Sequence, residues 1–258
     1  MGEHGRMTPR RPTAEAWHDV RLPLRRVEAR VTGEVPERRD DVWPFDIPAV
    51  AQLLREGLDL GPATVLVGEN GAGKSTLVEG IAMAYGLNPE GGSTGAQHTT
   101  RPSESPLHQH LQLVRHAGSA TRWGFFLRAE TMHSFYTYVD GMFGEDFHGR
   151  SHGEGFLDLF TGHRFTDKFG LYVFDEPESA LSFTSQLHLL AVLLGLMERG
   201  DSQVLLATHS PVLASLPGAT LLQLDEDGYR PAAWEDLDLV DHYRRFLDGP
   251  ERYLRHLR

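Results

Sequence analysis

Residues 68–76 read Gly68-Glu69-Asn70-Gly71-Ala72-Gly73-Lys74-Ser75-Thr76. This run fits the pattern G-x-x-x-x-G-K-[ST] of a phosphate-binding P-loop. The residues that lead into it, Thr64–Val67, are β-branched or apolar, which predicts a buried strand. The residues that follow it, Leu77–Ala84, carry apolar side chains at helical spacing. The run therefore has the strand–loop–helix setting that the motif requires.

The chemistry expected of this loop follows from its residue types. Glycines let the backbone wrap closely with its N–H groups pointing inward, and the helix that begins near Lys74 adds the positive end of its dipole. The Lys74 ammonium would reach the β- and γ-phosphates of a nucleotide, and the Ser75 hydroxyl would bind Mg²⁺. The alternative is a glycine-rich turn that binds nothing, which the eight-position pattern in this setting disfavours. The predicted nucleotide-binding residues are Gly68, Glu69, Asn70, Gly71, Ala72, Gly73, Lys74, Ser75 and Thr76.

Two carboxylates follow a second apolar run later in the chain. Leu171–Phe174 predicts a central strand, and Asp175 and Glu176 come directly after it. Ligands of open α/β sheets bind beyond the carboxyl ends of the strands, so both acids are expected to face the phosphates. Asp175 would hold Mg²⁺ together with Ser75, and Glu176 would act as the general base that activates water. An acidic turn without chemistry is the alternative, and beside a P-loop it is the weaker one.

A histidine follows a third apolar run. Val204–Ala207 predicts another strand, and Thr208, His209 and Ser210 come after it. The same sheet edge would bring His209 near Glu176, where the imidazole would contact the γ-phosphate. A lone histidine is more often structural than catalytic, so this interpretation depends on the two earlier motifs. His209 and Glu176 are the predicted catalytic residues.

The order of these segments predicts the fold class. Strands that alternate with helices indicate an α/β domain with a mostly parallel sheet flanked by helices. Residues 1–20 are predicted to be a flexible N-terminal arm, and residues 21–258 a single domain. Within it, residues 88–160 are predicted to form a small inserted helical or loop subdomain. Further predictions are an edge strand at Leu24–Val31, a strand at Trp123–Arg128, a helix at Ala180–Gly195, a strand at Thr220–Leu224 and a mostly helical tail over residues 234–258. The insertion could be mobile or could form a small helical subdomain around Leu107–Val114.

The composition limits the class of protein. The chain has 258 residues, 40% of them apolar, a formal net charge of −11 and no cysteine. It therefore has neither disulfides nor thiolate metal sites, which fits a reducing compartment. The longest apolar stretch, around Leu187–Met197, is too short to span a bilayer, and the polar first residues lack the apolar core of a signal peptide. We expect a cytoplasmic protein without membrane insertion. A zinc site at His108 and His110, or at His148 and His152, is rejected because no partner has metal-ligand spacing.

Taken together, the motifs resemble the ABC-type ATPase superfamily, and more closely the stand-alone bacterial AAA-family ATPases related to ABC and SMC proteins. The resemblance rests on Gly68–Thr76, Asp175–Glu178 and Thr208–Ser210, with weaker landmarks that extend it over nearly the whole chain. It implies an ABC-ATPase-like P-loop NTPase fold and an ATPase that converts ATP and water to ADP and phosphate with Mg²⁺ as cofactor. It also implies a head-to-tail homodimer that encloses two ATP molecules, closes on ATP binding and opens on hydrolysis.

The resemblance assigns further residues to the site. Ser151, Gly153 and Glu154 correspond to the signature segment that contacts the γ-phosphate of the other subunit in trans. This segment departs from the Leu-Ser-Gly-Gly-Gln of transporters. Glu130 stands at the Q-loop position, where the family has glutamine, and Ser182 stands where the D-loop usually ends in aspartate.

The sequence leaves the biological role open. The main prediction is an ATPase, and the alternatives are an ATP-gated module for DNA repair or defence, a slow module that recruits a partner protein, and a transporter's nucleotide-binding subunit. Overall acidity and the lack of a long heptad stretch disfavour the DNA role, and the altered signature disfavours the transporter role. The partner stays open between protein and nucleic acid. Trp43 and Phe45 are the candidates for an aromatic residue that stacks on adenine.

Overall fold

The computed structural model describes residues 22–31, 41–94, 105–117, 119, 121–128 and 168–255. The predicted N-terminal arm and most of the predicted insertion lie outside these ranges. In the described ranges the strands are, in chain order, β1 (Leu24–Ala29), β2 (Leu58–Asp59), β3 (Ala63–Gly68), β4 (Gly92–Ser93), β5 (Leu111–Arg115), β6 (Gly124–Arg128), β7 (Leu171–Asp175), β8 (Gln203–Thr208), β9 (Thr220–Asp225) and β10 (Gly228–Pro231). The helices of the same ranges are α1 (Pro48–Glu56), α2 (Lys74–Tyr85), α3 (Phe183–Glu198), α4 (Asp238–Asp248) and α5 (Glu251–Leu254).

A seven-stranded sheet is the centre of the molecule. Its strand order is β10-β9-β3-β8-β7-β6-β4. The five strands from β9 to β6 run parallel, and the outer strands β10 and β4 pair antiparallel. The predicted α/β class with a mostly parallel sheet is confirmed. In this order β3, which leads into the P-loop, lies between β8 and β9.

Helices cover both faces of this sheet, which explains why its central strands read as continuous apolar runs. On one face α3 packs through Leu189, Leu193 and Leu196 against a core that includes Phe125 and Phe174. On the other face α1 and α2 pack against a second core, with the fully buried side chains Leu53, Leu66, Leu77, Ile81 and Val173. Every residue of β7 and of β8 is buried. The strands that carry the candidate site residues are therefore held rigidly from both sides.

A second, antiparallel sheet has the order β2-β1-β5, and two predictions fail in it. The segment Leu24–Val31 was expected at a sheet edge, but β1 pairs with β2 on one side and with β5 on the other. A small helical subdomain around Leu107–Val114 was one of two alternatives, but the segment is a short 3₁₀ helix (Pro106–His110) followed by β5. The free edge of β1 offers backbone hydrogen bonds to residues 111–115, and this tertiary pairing outweighs local helix preference.

The remaining helical predictions are close to the observed bounds. Helix α3 begins three residues later than Ala180, because residues 177–180 form a 3₁₀ helix and the Ser182 side chain then caps α3 by accepting a hydrogen bond from the N–H of Ser185. The tail is mostly helical, with a 3₁₀ turn (Trp234–Asp236) before α4 and α5. No helix in the described ranges is both long enough and apolar enough to cross a membrane.

Candidate functional site

The P-loop connects the end of β3 to the start of α2. Gly73, immediately before α2, has φ +95°, in the left-handed region that favours glycine. A side chain there would also come within 2.6 Å of Ile47 Cγ2, so glycine is required by conformation and by space. The sequence prediction placed the strand, the loop and the helix correctly. The turn at Gly73 sets the position of the next residue, Lys74.

Lys74 is 3% exposed, and its ammonium lies at the centre of the site. Its Nζ donates hydrogen bonds to the carbonyl oxygens of Gly68 (2.9 Å) and Glu69 (3.1 Å), and it lies 2.8 Å from Nε2 of His209. Burial lowers the pKa of Lys74, and nearby carboxylates, Glu176 first among them, oppose that shift. The ammonium is therefore held by two backbone carbonyl oxygens of the P-loop.

Ser75, in the first turn of α2, lies opposite Asp175 at the end of β7. The Ser75 hydroxyl donates to Oδ1 of Asp175 at 2.9 Å. Burial raises the pKa of Asp175, which is 5% exposed, while the hydrogen bond from Ser75 and the charge of Arg128 oppose the shift. A hydroxyl and a carboxylate oxygen are ligands that Mg²⁺ accepts, and a spacing of about 3 Å suits two neighbouring ligands, each about 2.1 Å from the ion. The pair therefore fits Mg²⁺.

Arg128 is a site residue that the sequence analysis did not assign. It is the last residue of β6, in parallel register with Asp175. Its guanidinium pairs with Glu79 of α2 (2.6 Å) and with Asp175 Oδ2 (3.4 Å). Arg128 reaches the site through the pairing of β6 with β7, which no local sequence pattern encodes. The positive charge of Arg128 therefore offsets the negative charges of Glu79 and Asp175 beside the P-loop.

Glu176 and His209 meet beside Lys74, as predicted from the sheet edge. Nε2 of His209 lies 3.0 Å from Oε1 of Glu176. This nitrogen can donate to Glu176 or accept from Lys74, but not both at once. Glu176 has φ +50° and is the one non-glycine residue with positive φ in the described ranges. Such strained backbone occurs mainly at functional sites, where the surrounding structure holds it.

Glu178 is the second residue that the sequence analysis did not assign a role. Its Oε1 accepts a short hydrogen bond from the backbone N–H of His209, and its carboxylate also accepts from the Thr208 hydroxyl. Its Oε2 is buried and has no hydrogen-bond partner among the described residues. Burial raises the pKa of Glu178. This side chain connects the 3₁₀ helix after Glu176 to the loop that carries His209.

An open cleft of about 730 Å³ lies over the P-loop. One side is formed by the P-loop and His209, and the other by the turn between β9 and β10 and by α4. Its lining residues are Pro48, Val67, Gly68, Glu69, Asn70, Gly71, Ala72, His209, Gln223, Leu224, Asp225, Glu226, Asp227, Asp238, Leu239, His242 and Tyr243. This volume lies within the range of small-molecule sites.

Other predicted residues are absent from this arrangement. Glu130, Ser151, Gly153 and Glu154 lie outside the described residues. Of the two aromatic candidates, Phe45 is 6% exposed and packs edge-on against the His110 ring at 4.8 Å, so it belongs to the core. Trp43 is 52% exposed and does not line the cleft.

Comparison with known proteins gives one family match. Residues 151–215 match the family model described as "AAA domain, putative AbiEii toxin, Type IV TA system". The matched segment contains Asp175, Glu176, Glu178 and His209. The comparison with curated proteins returned no match.

Two solved structures are among those similar to the chain. The SMC head domain from Thermotoga maritima is 12% identical over 82% of this chain and 100% of that one, with a TM-score of 0.42. The structure of cbiO1 from Clostridium perfringens, part of the ABC transporter complex cbiONQ, is 14% identical over 76% of this chain and 88% of that one, also with a TM-score of 0.42.

Three features of the chain indicate its class of protein. The P-loop lies between a central parallel strand and a helix, and an aspartate with a following glutamate ends a strand of the same sheet. The family match covers that aspartate, the glutamate and His209. The P-loop and the parallel sheet are those of a P-loop NTPase, and residues 151–215 of the chain are similar to an AAA domain.

Proposed function

We propose that the protein binds ATP with Mg²⁺ and hydrolyses it to ADP and phosphate. The observation that carries the proposal is the convergence of Lys74, Ser75, Asp175, Glu176 and His209 at one edge of the sheet. The contacts Lys74–His209, Ser75–Asp175 and Glu176–His209 all lie between 2.8 and 3.0 Å. A nearly buried ammonium, a hydroxyl–carboxylate pair and a carboxylate–imidazole pair are the groups that phosphoryl transfer requires.

Phosphate binding would use contacts that the loop already has. The β- and γ-phosphate oxygens would take the place of the carbonyl oxygens of Gly68 and Glu69 at the Lys74 ammonium. The backbone N–H groups of the P-loop and the start of α2 favour negative charge at the same point. Ser75 and Asp175 would hold Mg²⁺, which supplies positive charge at the phosphate oxygens when bound.

Hydrolysis would use Glu176 and His209. Oε1 of Glu176 would accept a proton from water as the water oxygen bonds to the γ-phosphorus, and the bond from that phosphorus to the bridging oxygen breaks to release ADP. Nε2 of His209, 3.0 Å from the same oxygen, would donate to a γ-phosphate oxygen. A base of this kind contributes about 10²- to 10⁴-fold in rate.

We further propose that ATP binding closes a head-to-tail homodimer. Ser151, Gly153 and Glu154 of one subunit would then complete the phosphate site of the other, and Glu130 would contact water bound to Mg²⁺. The partly exposed side chains of His209 (30%) and Glu176 (37%) support this proposal, because they leave the γ-phosphate end accessible to a second chain. The partner that uses the conformational change would be a protein or a nucleic acid.

The proposal is tested by light scattering of the Glu176→Gln variant with and without Mg-ATP, alongside phosphate release by the wild type. We expect the variant to be monomeric alone and dimeric with ATP, and its rate of phosphate release to fall at least about a hundredfold. Glu198→Gln makes the same chemical change at an exposed residue at the end of α3, and it should behave as the wild type.

Two outcomes distinguish a failure of the homodimer from a failure of the ATPase. If Glu176→Gln stays monomeric with ATP while the wild type releases phosphate, the ATPase stands and the homodimer is wrong. If the wild type neither binds ATP nor releases phosphate, the ATPase itself is wrong.

A further inference from the structure

The cleft over the P-loop continues away from the catalytic residues. Strand β8, which leads to His209, lies on one side of β3, whereas β9 lies on the other side. The cleft runs from His209 across the P-loop to the β9–β10 turn and α4. A nucleotide whose γ-phosphate lies at His209 therefore has the rest of its length available on the β9 side.

Helix α4 is fixed beside the P-loop strand. Gln223 of β9 is in register with Val67 of β3. Its side-chain oxygen accepts from the N–H of Asp238 (3.2 Å), and its side-chain nitrogen donates to the Asp238 carboxylate. Leu237 and Val240 are both buried, 0% and 2% exposed, in the core beneath. The first turn of α4 is therefore a rigid wall of the cleft.

The two ends of the cleft differ in charge. The P-loop end has the backbone of residues 68–72 and the start of α2, which attract phosphates, with Glu69 as the one carboxylate of the loop in its lining. The far end has the carboxylates of Asp225 at the end of β9, of Glu226 and Asp227 in the β9–β10 turn and of Asp238 on α4. Arg230 pairs with Asp225 at 2.9 Å. Carboxylates repel phosphate oxygens and accept hydrogen bonds from hydroxyl and amino groups. This polarity orients a ligand that is anionic at one end and carries neutral donors at the other.

The face of α4 that lines the cleft is apolar and aromatic. Leu239, His242 and Tyr243 line the cleft, at the i, i+3 and i+4 spacing that places residues on one face of a helix. Tyr243 is 50% exposed, so its ring is available to a ligand. Nδ1 of His242 lies 3.1 Å from the hydroxyl of Tyr253 on α5, which fixes its ring.

We propose that this end of the cleft is a nucleoside subsite, in which the base packs on Tyr243 and the carboxylates of the β9–β10 turn accept hydrogen bonds from the ribose hydroxyls. The inference rests on the proposed ATP binding. It assigns a site to the nucleoside half of ATP, which the P-loop does not hold. Tyr243 then takes the role for which Trp43 and Phe45 were the candidates from sequence. The base is then recognised by the C-terminal part of the chain.

The test measures binding by calorimetry in the Glu176→Gln background, with ATP and inorganic triphosphate as probes. Adding Tyr243→Ala should weaken ATP binding about tenfold and leave triphosphate binding unchanged, because stacking of a base on an aromatic ring is worth about 1–3 kcal/mol. Tyr243→Phe keeps the ring and should bind ATP within about twofold of the background variant. ATP that lacks both ribose hydroxyls should bind the background variant about fivefold more weakly than ATP.

Trp43→Ala is the matched control, since it removes the rival aromatic side chain. The subsite is wrong if Tyr243→Ala binds ATP as tightly as the background variant, or if Trp43→Ala shows the loss instead. Equal affinity for triphosphate and ATP would also overturn the subsite while leaving phosphate binding intact. If neither probe binds, the proposed ATPase fails and the subsite fails with it.

Discussion

At the scale of single residues, Glu178 has a role that neither of its neighbouring motifs reveals. It accepts a hydrogen bond from the backbone of His209, and His209 in turn contacts Glu176 and Lys74. A short side chain at position 178 could not reach that N–H group. Glu178 therefore acts as a positioning residue that sets the loop of His209 against the residue that would activate water.

We expect Glu178→Ala to lower kcat of ATP hydrolysis about 10- to 100-fold, the usual effect of removing a partner that orients an active-site group. KM should change little, because the P-loop contacts remain. Glu178→Gln keeps an oxygen acceptor for the His209 N–H and should restore most of kcat. Steady-state phosphate release measures both parameters. A loss in Glu178→Gln as large as that in Glu178→Ala would contradict the positioning role.

Glu178→Gln also gives a prediction for how the stability of the protein depends on pH. Burial raises the pKa of Glu178 in the folded chain above its ordinary value of 4.5. A carboxyl with a raised pKa contributes stability that is complete below the ordinary pKa and is lost as pH rises through the folded-state pKa. Glutamine carries no such titration. The free energy of unfolding of Glu178→Gln relative to the wild type should therefore increase from pH 4 to pH 8 in urea titrations, and a flat difference would contradict it.

The candidate catalytic residues could be predicted from sequence because a parallel sheet brings the carboxyl ends of its strands together. Asp175, Glu176 and His209 each follow an apolar run, and that pattern alone placed them at one edge. Arg128 and Glu178 could not be placed in the same way. Their contacts depend on which strands are neighbours and on a 3₁₀ turn, and no local periodicity encodes either.

At the scale of elements, the start of β7 shows how closely the sheet is packed. A Cβ on Gly170 would overlap the backbone carbonyl of Trp123. The carbonyl of Gly170 also accepts a hydrogen bond from Gln203 at the start of β8 (2.9 Å). We expect Gly170→Ala to reduce the free energy of unfolding by about 1–3 kcal/mol, because backbone atoms must separate. Urea unfolding followed by circular dichroism measures the change.

Gly195→Ala is the control for that change. Gly195 lies inside α3, and a Cβ there meets no atom within 4 Å. Alanine is the better helix former, so the same substitution should stabilise the protein by about 0.5–1 kcal/mol. If both variants lost stability equally, the close approach of Gly170 to Trp123 would not be the cause.

The ends of helices and strands could be predicted where local side-chain patterns define them. They could not be predicted where pairing with a strand distant in sequence defines them. Helix α3 was found from its apolar run, although its start was misplaced by the 3₁₀ turn before Ser182. The sequence of residues 111–115 does not favour a strand over a helix. They become β5 because β1 leaves an edge free beside them.

At the scale of the whole molecule, the sheet class and the site edge were predictable, whereas the cleft was not. Its far wall is α4, which approaches the P-loop through the hydrogen bonds of Gln223 to Asp238. These residues belong to a tail whose sequence predicts only helix. Nothing in that pattern places the helix beside β3. The family resemblance points instead to an aromatic residue upstream of the P-loop, in a segment where Phe45 fills the core.

Because the P-loop leaves β3 between the two hydrophobic cores, nucleotide binding should stabilise the whole domain and not only the loop. A ligand at 100 times its Kd adds about 2.7 kcal/mol to the free energy of unfolding. For a chain of this size each kcal/mol raises Tm by about 2–4 °C, so saturating Mg-ATP should raise the Tm of Glu176→Gln by about 5–10 °C. Differential scanning calorimetry measures the shift. Lys74→Ala in the same background should abolish it, because the ammonium at the phosphates is lost. A full shift in Lys74→Ala would mean that ATP binds elsewhere on the molecule and that the P-loop is not its site.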